Sequence, residues 1–430
     1  MKSGTSRRAD QAEIRRARCG RRVRVVGAVV GALTVVTVGL APSAAASDEQ
    51  SKQWYLGPMQ AEQMWKVSTG KGVKIAVIDS GVNANTPSLK GQVLTDEVPK
   101  AVAYHVTDDY LGHGTTMAEL IAGTGAGGGL KGLAPGAKIV PFRVKLDGLK
   151  GAQEKARTPD VDTALRAAAD SDVKIISISL GGLVANEDEG AVKYALSKGK
   201  LLIASVGNAG KNGQVDYPAA YPYVLGVASV GKSLTVSGFS SSGGYADVAA
   251  PGEGYPGWCD GTFRSYCDNY KGTSPATALT AAAAALIWSA HPDWTLYQVE
   301  RALLDTAGRT WPKDKPSKYL GYGVIRPRLV LADKNYDPGP ANVDPLQKQD
   351  GREWESVAPV APKGSSSPSA SASSQAQEKG STGATSAAGS SAESSSGGSS
   401  NTTWIALGAV GAVVVVGGGA LAIARARRAR

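Results

Sequence analysis

The sequence predicts an α/β fold, a doubly wound and mostly parallel sheet with helices on both faces. Three observations carry this. Near-continuous apolar runs recur along the chain, and amphipathic stretches of helical length separate them. The composition suits tight layers, with 42% hydrophobic residues, 54 Gly and only three Phe. A hydrophobic fraction of that size over 430 residues can bury a large core and excludes a chain disordered throughout.

The strands are expected at Val73–Ile78, Lys138–Val144, Val173–Ser179, Leu201–Val206 and Val224–Val230. Strands buried on both faces lose the apolar/polar alternation and read as continuous runs. Helices are expected at His113–Gly123, Val161–Ala169, Glu189–Lys198, Ser274–Ser289 and Leu296–Ala307. Strands alternating with helices of this length imply crossover units and a parallel sheet. In such sheets ligands bind beyond the carboxyl ends of the strands, so chemistry is to be sought there.

The two ends of the chain read differently. The formal charge is +10, but residues 1–46 hold nine basic and two acidic side chains, and the last six residues hold four arginines. The stretch between is one unit negative. This argues against a broad nucleic-acid-binding face and points to membrane addresses. Residues 1–46 are expected to be a secretory signal: an Arg-rich start ending at Arg24, an apolar run from Val25 to Leu40, then small residues with Ala44 and Ala46 at a cleavable spacing. Residues 404–424 (WIALGAVGAVVVVGGGALAIA) carry no charge and are long enough to span a bilayer as a helix. The basic tail at 425–430 should remain cytoplasmic.

Residues 336–401 are expected to form a linker and a Ser/Gly/Ala-rich stalk, because such a composition cannot bury enough apolar surface to fold. That leaves 54–335 as one compact domain, held outside the cell membrane by a single C-terminal span. Three Cys are too few for a disulfide scaffold. Cys19 lies in the signal; Cys259 and Cys267 remain and should bridge in an oxidising compartment. Two free thiols are the alternative, and a metal site would need more Cys or His nearby. The glycines Gly123, Gly125 and Gly128 formally match a nucleotide-binding loop. They follow a predicted helix and lead into a loop, so they read as flexible connection.

Four residues stand at strand ends or helix starts. Asp79 closes the first strand, in VKIAVIDSGV. His113, one of three His in the chain, lies between Gly112 and Gly114 at a helix start. Asn208 follows the fourth strand, in LLIASVGNAG, and Ser274 opens an Ala-rich helix, in YKGTSPATAL. Each alone has an ordinary explanation: a turn aspartate, a packed histidine, a turn asparagine, an N-cap serine. Together they supply an orienting carboxylate, a base, an oxyanion donor and a nucleophile. The order Asp, His, Ser is a known chain order for a catalytic triad. His105, in a polar loop, and His291, before Pro292, fit structural roles.

With DSG at Asp79, GHGT at His113, GN at Asn208 and GTS at Ser274, the sequence resembles the subtilisin-like serine proteases (subtilases). KGLAPGAKIVPFRV (131–144), IISISLGG (175–182) and GYADVAAPG (244–252) extend the resemblance over about 54–333. With its two ends, the chain is most similar to the mycosins, membrane-anchored subtilases associated with type VII secretion in actinobacteria. The resemblance implies that Ser274 attacks the scissile carbonyl, His113 relays the proton and Asp79 orients the imidazole. Asn208 and the Ser274 N–H would hold the oxyanion. Ser179, Leu180 and Gly181 would form one wall of the substrate pocket, and Ser205, Val206 and Gly207 the other, making a modest pocket.

Some positions depart from the family pattern. Pro275 follows the nucleophile and biases Ser274 away from the helical region. Thr116 stands where a second His is common. Only about seven residues separate the expected cleavage site from Trp54, so a long prosegment is not expected. No cofactor and no metal site are expected, since no oxygen-ligand loop for calcium stands out. The implied function is a membrane-anchored endopeptidase acting on protein or peptide substrates, processing proteins of a type VII secretion system. The alternative is a structural component of the secretion complex, with proteolysis secondary. A diffusing degradative protease fits poorly with a tether.

Overall fold

The computed structural model of the chain describes residues 48–181 and 188–347. The expected signal peptide, most of the stalk, the 404–424 span, the basic tail and Gly182 of the IISISLGG stretch lie outside these residues. Among the described residues no helix is long and apolar enough to cross a membrane.

Six strands form one parallel sheet: β1 (Lys74–Asp79), β2 (Lys138–Arg143), β3 (Ile175–Ile178), β4 (Leu201–Ser205), β5 (Leu225–Val230) and β6 (Val248–Pro251). Their spatial order is β2-β1-β3-β4-β5-β6. Successive side chains of each strand enter opposite layers. On β1, Ile75 and Val77 join one apolar cluster, and Ala76 and Ile78 the other. The helices are α1 (Ala61–Trp65), α2 (His113–Ala122), α3 (Ala152–Arg157), α4 (Val161–Ala169), α5 (Glu189–Ser197), α6 (Thr273–Ala290), α7 (Leu296–Thr306) and α8 (Pro327–Ala332). Helices α2, α6, α7 and α8 cover the first face; α4 and α5 cover the second. The doubly wound sheet with helices on both faces is thus present, as the apolar runs predicted. Pro141 sits in edge strand β2, where a missing N–H is tolerated.

Two features were not anticipated. Strand β6 is four residues long and small in side chain, ends in Pro251 and is followed by Gly252, so it carries little strand signal of its own. The antiparallel pair β7 (Glu253–Trp258) and β8 (Tyr266–Lys271) contains Gly254, Pro256 and Gly257, which read as a loop. Tertiary contacts hold it instead: Cys259 and Cys267 are bonded across its turn, and Trp258 stacks on Tyr266 at 3.9 Å. The glycine-rich stretch after α2 is an ordered turn, clasped by the Thr124–Lys131 bridge and by Ser88 O accepting from Thr124 N at 2.9 Å.

Residues flanking the 54–335 span also pack on the body. Leu346 is buried in the first cluster, and Arg301 donates to the carbonyls of Pro338, Pro340 and Val343. At the other end Gln53 Nε2 donates to Lys131 O at 2.9 Å.

Helix α6 is buried from Thr273 to Trp288. A helix apolar on all sides belongs inside a core, and its five consecutive alanines, Ala281–Ala285, combine high helix propensity with little volume. It packs against β3, β4, β5 and β6 on one side and α2, α7 and α8 on the other. His291 and Pro292 end it. Close packing leaves no room for added methylenes. Ala283, fully buried, is expected to cost about 1–3 kcal/mol on replacement by Leu. Ala156→Leu on exposed α3 should stay within about 0.5 kcal/mol of wild type. Thermal and urea unfolding of the two variants will measure the contrast.

Candidate active site

Strand order reverses between β1 and β3, because β2 lies to one side of β1 and β3 to β6 lie on the other. Ligand sites in open α/β sheets form at the carboxyl side of such a reversal. The register Ile78↔Ile178 brings Asp79 and Ser179 level there, one residue beyond the last pair. Ile178↔Ala204 brings Ser205 level with them.

Asp79 is fully buried. Its Oδ1 accepts the Ser80 N–H at 2.7 Å and lies 2.7 Å from His113 Nδ1. His113 is the first residue of α2, with its side chain 25% exposed. The glycines beside it are required by space. A Cβ on Gly114 would lie 2.9 Å from Asp79 Cβ, and one on Gly112 (φ +78°) would lie 2.6 Å from Asp260 O. Burial lowers the His113 pKa, but the Asp79 charge, its hydrogen bond and the Asp109 charge outweigh burial and raise it above the ordinary histidine value.

Sequence reasoning missed Asp109. This buried carboxylate accepts from Gly112 N (2.8 Å), Leu111 N (3.0 Å), Thr115 N (2.8 Å), Thr115 Oγ1 (2.6 Å) and Ser80 Oγ (2.7 Å). It therefore fixes the backbone that presents His113, at the helix end where negative charge is favoured. The available signal was an acidic residue just ahead of a predicted helix start.

Ser274 is the second residue of α6 and Pro275 the third. The bias of Pro275 against a helical Ser274 does not prevail, and Ser274 lies within the helix. First-turn N–H groups have no intrahelical acceptor, so proline forfeits no hydrogen bond there. Ser274 Oγ donates to Ser179 O at 3.0 Å, and Ser179 Oγ donates to Ser274 O at 3.1 Å. Ser274 is thus moored to the end of β3, beside the strand end that holds Asp79. It makes no hydrogen bond to His113 here. Asn208, exposed after β4, accepts through Oδ1 from Thr273 N at 2.9 Å and Thr273 Oγ1 at 3.2 Å. Its Nδ2 lies on the side of Gly272, 3.9 Å from where a Cβ there would stand.

The expected pocket residues are only partly placed as a lining. Leu180 and Val206 belong to the second core cluster, so their side chains face the interior. Ser205 Oγ donates to Leu180 O at 2.9 Å and ties the two segments together. Any lining here comes from Ser179, Gly181, Gly207 and backbone. Among the described residues no cluster of His, Cys, Asp or Glu is arranged to hold a metal. An apolar cavity of about 430 Å³ lies apart from these residues, between Trp54, Met59, Trp311 and Arg326.

Comparison with known proteins accords with this geometry. The subtilase family profile, peptidase S8, matches residues 70–323, and the chain belongs to that family; it is a subtilisin-like serine protease. Thermitase of Thermoactinomyces vulgaris is 35% identical over 285 residues, covering 63% of this chain and 95% of thermitase. The crystal structure of MycP1 from Mycobacterium smegmatis superposes with a TM-score of 0.55 at 25% identity, covering 70% of this chain and 89% of MycP1. A second MycP1 structure, 27% identical with a TM-score of 0.55, covers 68% of this chain and 91% of its own. That protein is described as a serine protease and an essential component of the type VII (ESX-1) secretion system.

Sequence reasoning also missed Glu119, buried at 0% exposure on α2. It accepts from Tyr266 Oη at 2.7 Å and Thr86 Oγ1 at 2.8 Å, joining the histidine helix to the β7–β8 hairpin. Burial pushes its carboxyl up to about 7, against the pull of these hydrogen bonds. Between the ordinary carboxylate value and about 7 the unfolded chain has lost this proton while the folded chain keeps it. The Glu119 contribution therefore makes folding less favourable as pH rises across that window. Glu119→Gln should flatten this part of the profile and unfold at higher denaturant than wild type at pH 8. Urea titrations of both chains from pH 4 to 8 will show it.

Proposed function

We propose that this chain is a membrane-anchored extracytoplasmic endopeptidase that processes secreted proteins of a type VII secretion system through Ser274, His113 and Asp79. One observation carries the chemistry: the Asp79–His113 pair and the Ser274–Ser179 pair occupy adjacent strand ends at the reversal of the sheet.

In this reading the Ser274 hydroxyl leaves the Ser179 carbonyl when substrate binds and turns to His113 Nε2. His113 takes the proton as Oγ attacks the scissile carbonyl, then returns it to the leaving amine. Asp79 holds the Nδ1–H tautomer and stabilises the imidazolium. The Ser274 N–H and Asn208 Nδ2 hold the oxyanion; Thr273 fixes the Asn208 amide so that its donor is preorganised, a contribution worth ~2.7–4 kcal/mol of barrier for one donor. Water then repeats the sequence on the acyl-enzyme.

Support for the location comes from the sequence: the signal-like residues 1–46, the uncharged 404–424 stretch and the arginines after it. Resemblance to the MycP1 structures supports the secretion role. In cells, Ser274→Ala should leave precursor forms among secreted proteins that wild type converts. On purified chain it should lower kcat by on the order of 10⁶-fold. Equal peptide cleavage by both forms overturns the assignment.

The base must be neutral to accept a proton, so activity should be lost as pH falls through the raised His113 value, above that of an ordinary histidine. Asp79→Asn removes the charge that raises it. The acid limb of kcat/KM should then move to lower pH while kcat drops ~10⁴-fold. A pH–rate profile of the two forms measures both effects.

A further inference from the structure

Gly181 and Gly207 end the two segments read above as pocket walls, and something occupies the space their missing side chains leave. A Cβ on Gly181 would lie 2.5 Å from Asp216 Oδ2 and 3.3 Å from Asp216 Cγ. A Cβ on Gly207 (φ +99°) would lie 2.6 Å from the same Cγ and overlap Oδ2. The carboxylate therefore sits between the two walls. Its backbone is pinned there: Asp216 N donates to Val206 O at 3.0 Å, and Ala220 N donates to Asp216 O at 3.0 Å. Ser241 closes the same side, with Oγ accepting from Ala209 N at 3.1 Å and N donating to Gly207 O at 3.0 Å.

The other wall residues turn their side chains elsewhere. Leu180 and Val206 face the core, and Ser205 is turned to Leu180 O. Ser179, at the mouth of the first wall, is bonded to the nucleophile. A carboxylate held between two glycine-ended walls, one of which carries Ser179, the hydrogen-bond partner of Ser274, suits a long side chain ending in a cation.

We infer that Asp216 sets the specificity of this protease for substrates with Lys or Arg immediately before the cleaved bond. The inference rests on the reading of Ser274 as nucleophile and of the 179–181 and 205–207 segments as pocket walls. The ammonium or guanidinium would meet the carboxylate in a charge-assisted hydrogen bond, stronger than a neutral pair. Arginine would use both carboxylate oxygens.

The test uses fluorogenic peptides Ala-Ala-Ala-Xaa, with Xaa Lys, Arg, Leu, Phe or Ala, and the full chain as wild type, Asp216→Asn and Ser274→Ala. Wild type should favour Lys and Arg in kcat/KM. Asp216→Asn keeps the shape and the backbone bonds. It should lower kcat/KM for Lys and Arg by about ten- to a hundredfold, the range of one charged hydrogen bond, and change the neutral peptides by less than about threefold. A carboxylate that only braces the two walls would lower all five peptides together, and that result overturns the inference. So does a wild type that cleaves Leu, Phe or Ala best. Cleavage by Ser274→Ala equal to wild type sinks the nucleophile assignment instead, and the inference with it.

Discussion

Burial of α6 on every side is the constraint on which the rest of the structure depends. The helix has no solvent face from Thr273 to Trp288, so it can neither roll nor slide without overlapping the sheet or the helices beyond it. Its first turn is therefore held where the β3 and β4 ends emerge. Ser274 is delivered to the sheet edge by packing, and the paired hydrogen bonds with Ser179 complete the placement. The alanine run makes this possible, because larger side chains would push the helix off the sheet.

The other half of the site is placed by electrostatics. Asp79 acts on the imidazole directly, through the bond to Nδ1. Asp109 acts on the backbone around it, collecting N–H groups of Leu111, Gly112 and Thr115. One carboxylate raises the His113 pKa and the other holds the loop. Ser80 touches both. Removing either charge should be felt at His113, though by different routes.

The layers were legible in the sequence because strands buried on both faces leave unbroken apolar runs. The expected β1 to β5 and the five expected helices lie within one or two residues of the observed elements. Strand β6 and the β7–β8 hairpin were not legible, since Val248–Pro251 is short and Glu253–Trp258 is rich in turn formers; a disulfide, an aromatic stack and docking on α2 hold what propensity does not. The four candidate catalytic positions could be found from their places at strand ends and helix starts. Asp109 left only the faint signal of an acidic residue ahead of a helix start, while Glu119 and Asp216 left none, because their neighbours Tyr266 and Gly181 are distant in sequence. Leu180 and Val206 send their side chains into the second core cluster, so the walls expected at these two segments would be offered by backbone and glycine.

The parity of the strands bears on how such a protein can diverge. Every strand sends alternate residues to opposite layers, so inserting or deleting one residue in a strand would exchange its two layers and undo the core. Changes of length are confined to the connections between strands and helices. Several of those connections rise at the sheet edge that carries Asp79, Ser179 and Asn208. New substrate preferences can accumulate there by loop change and single substitution, while Asp79, His113 and Ser274 stay on a scaffold that tolerates neither.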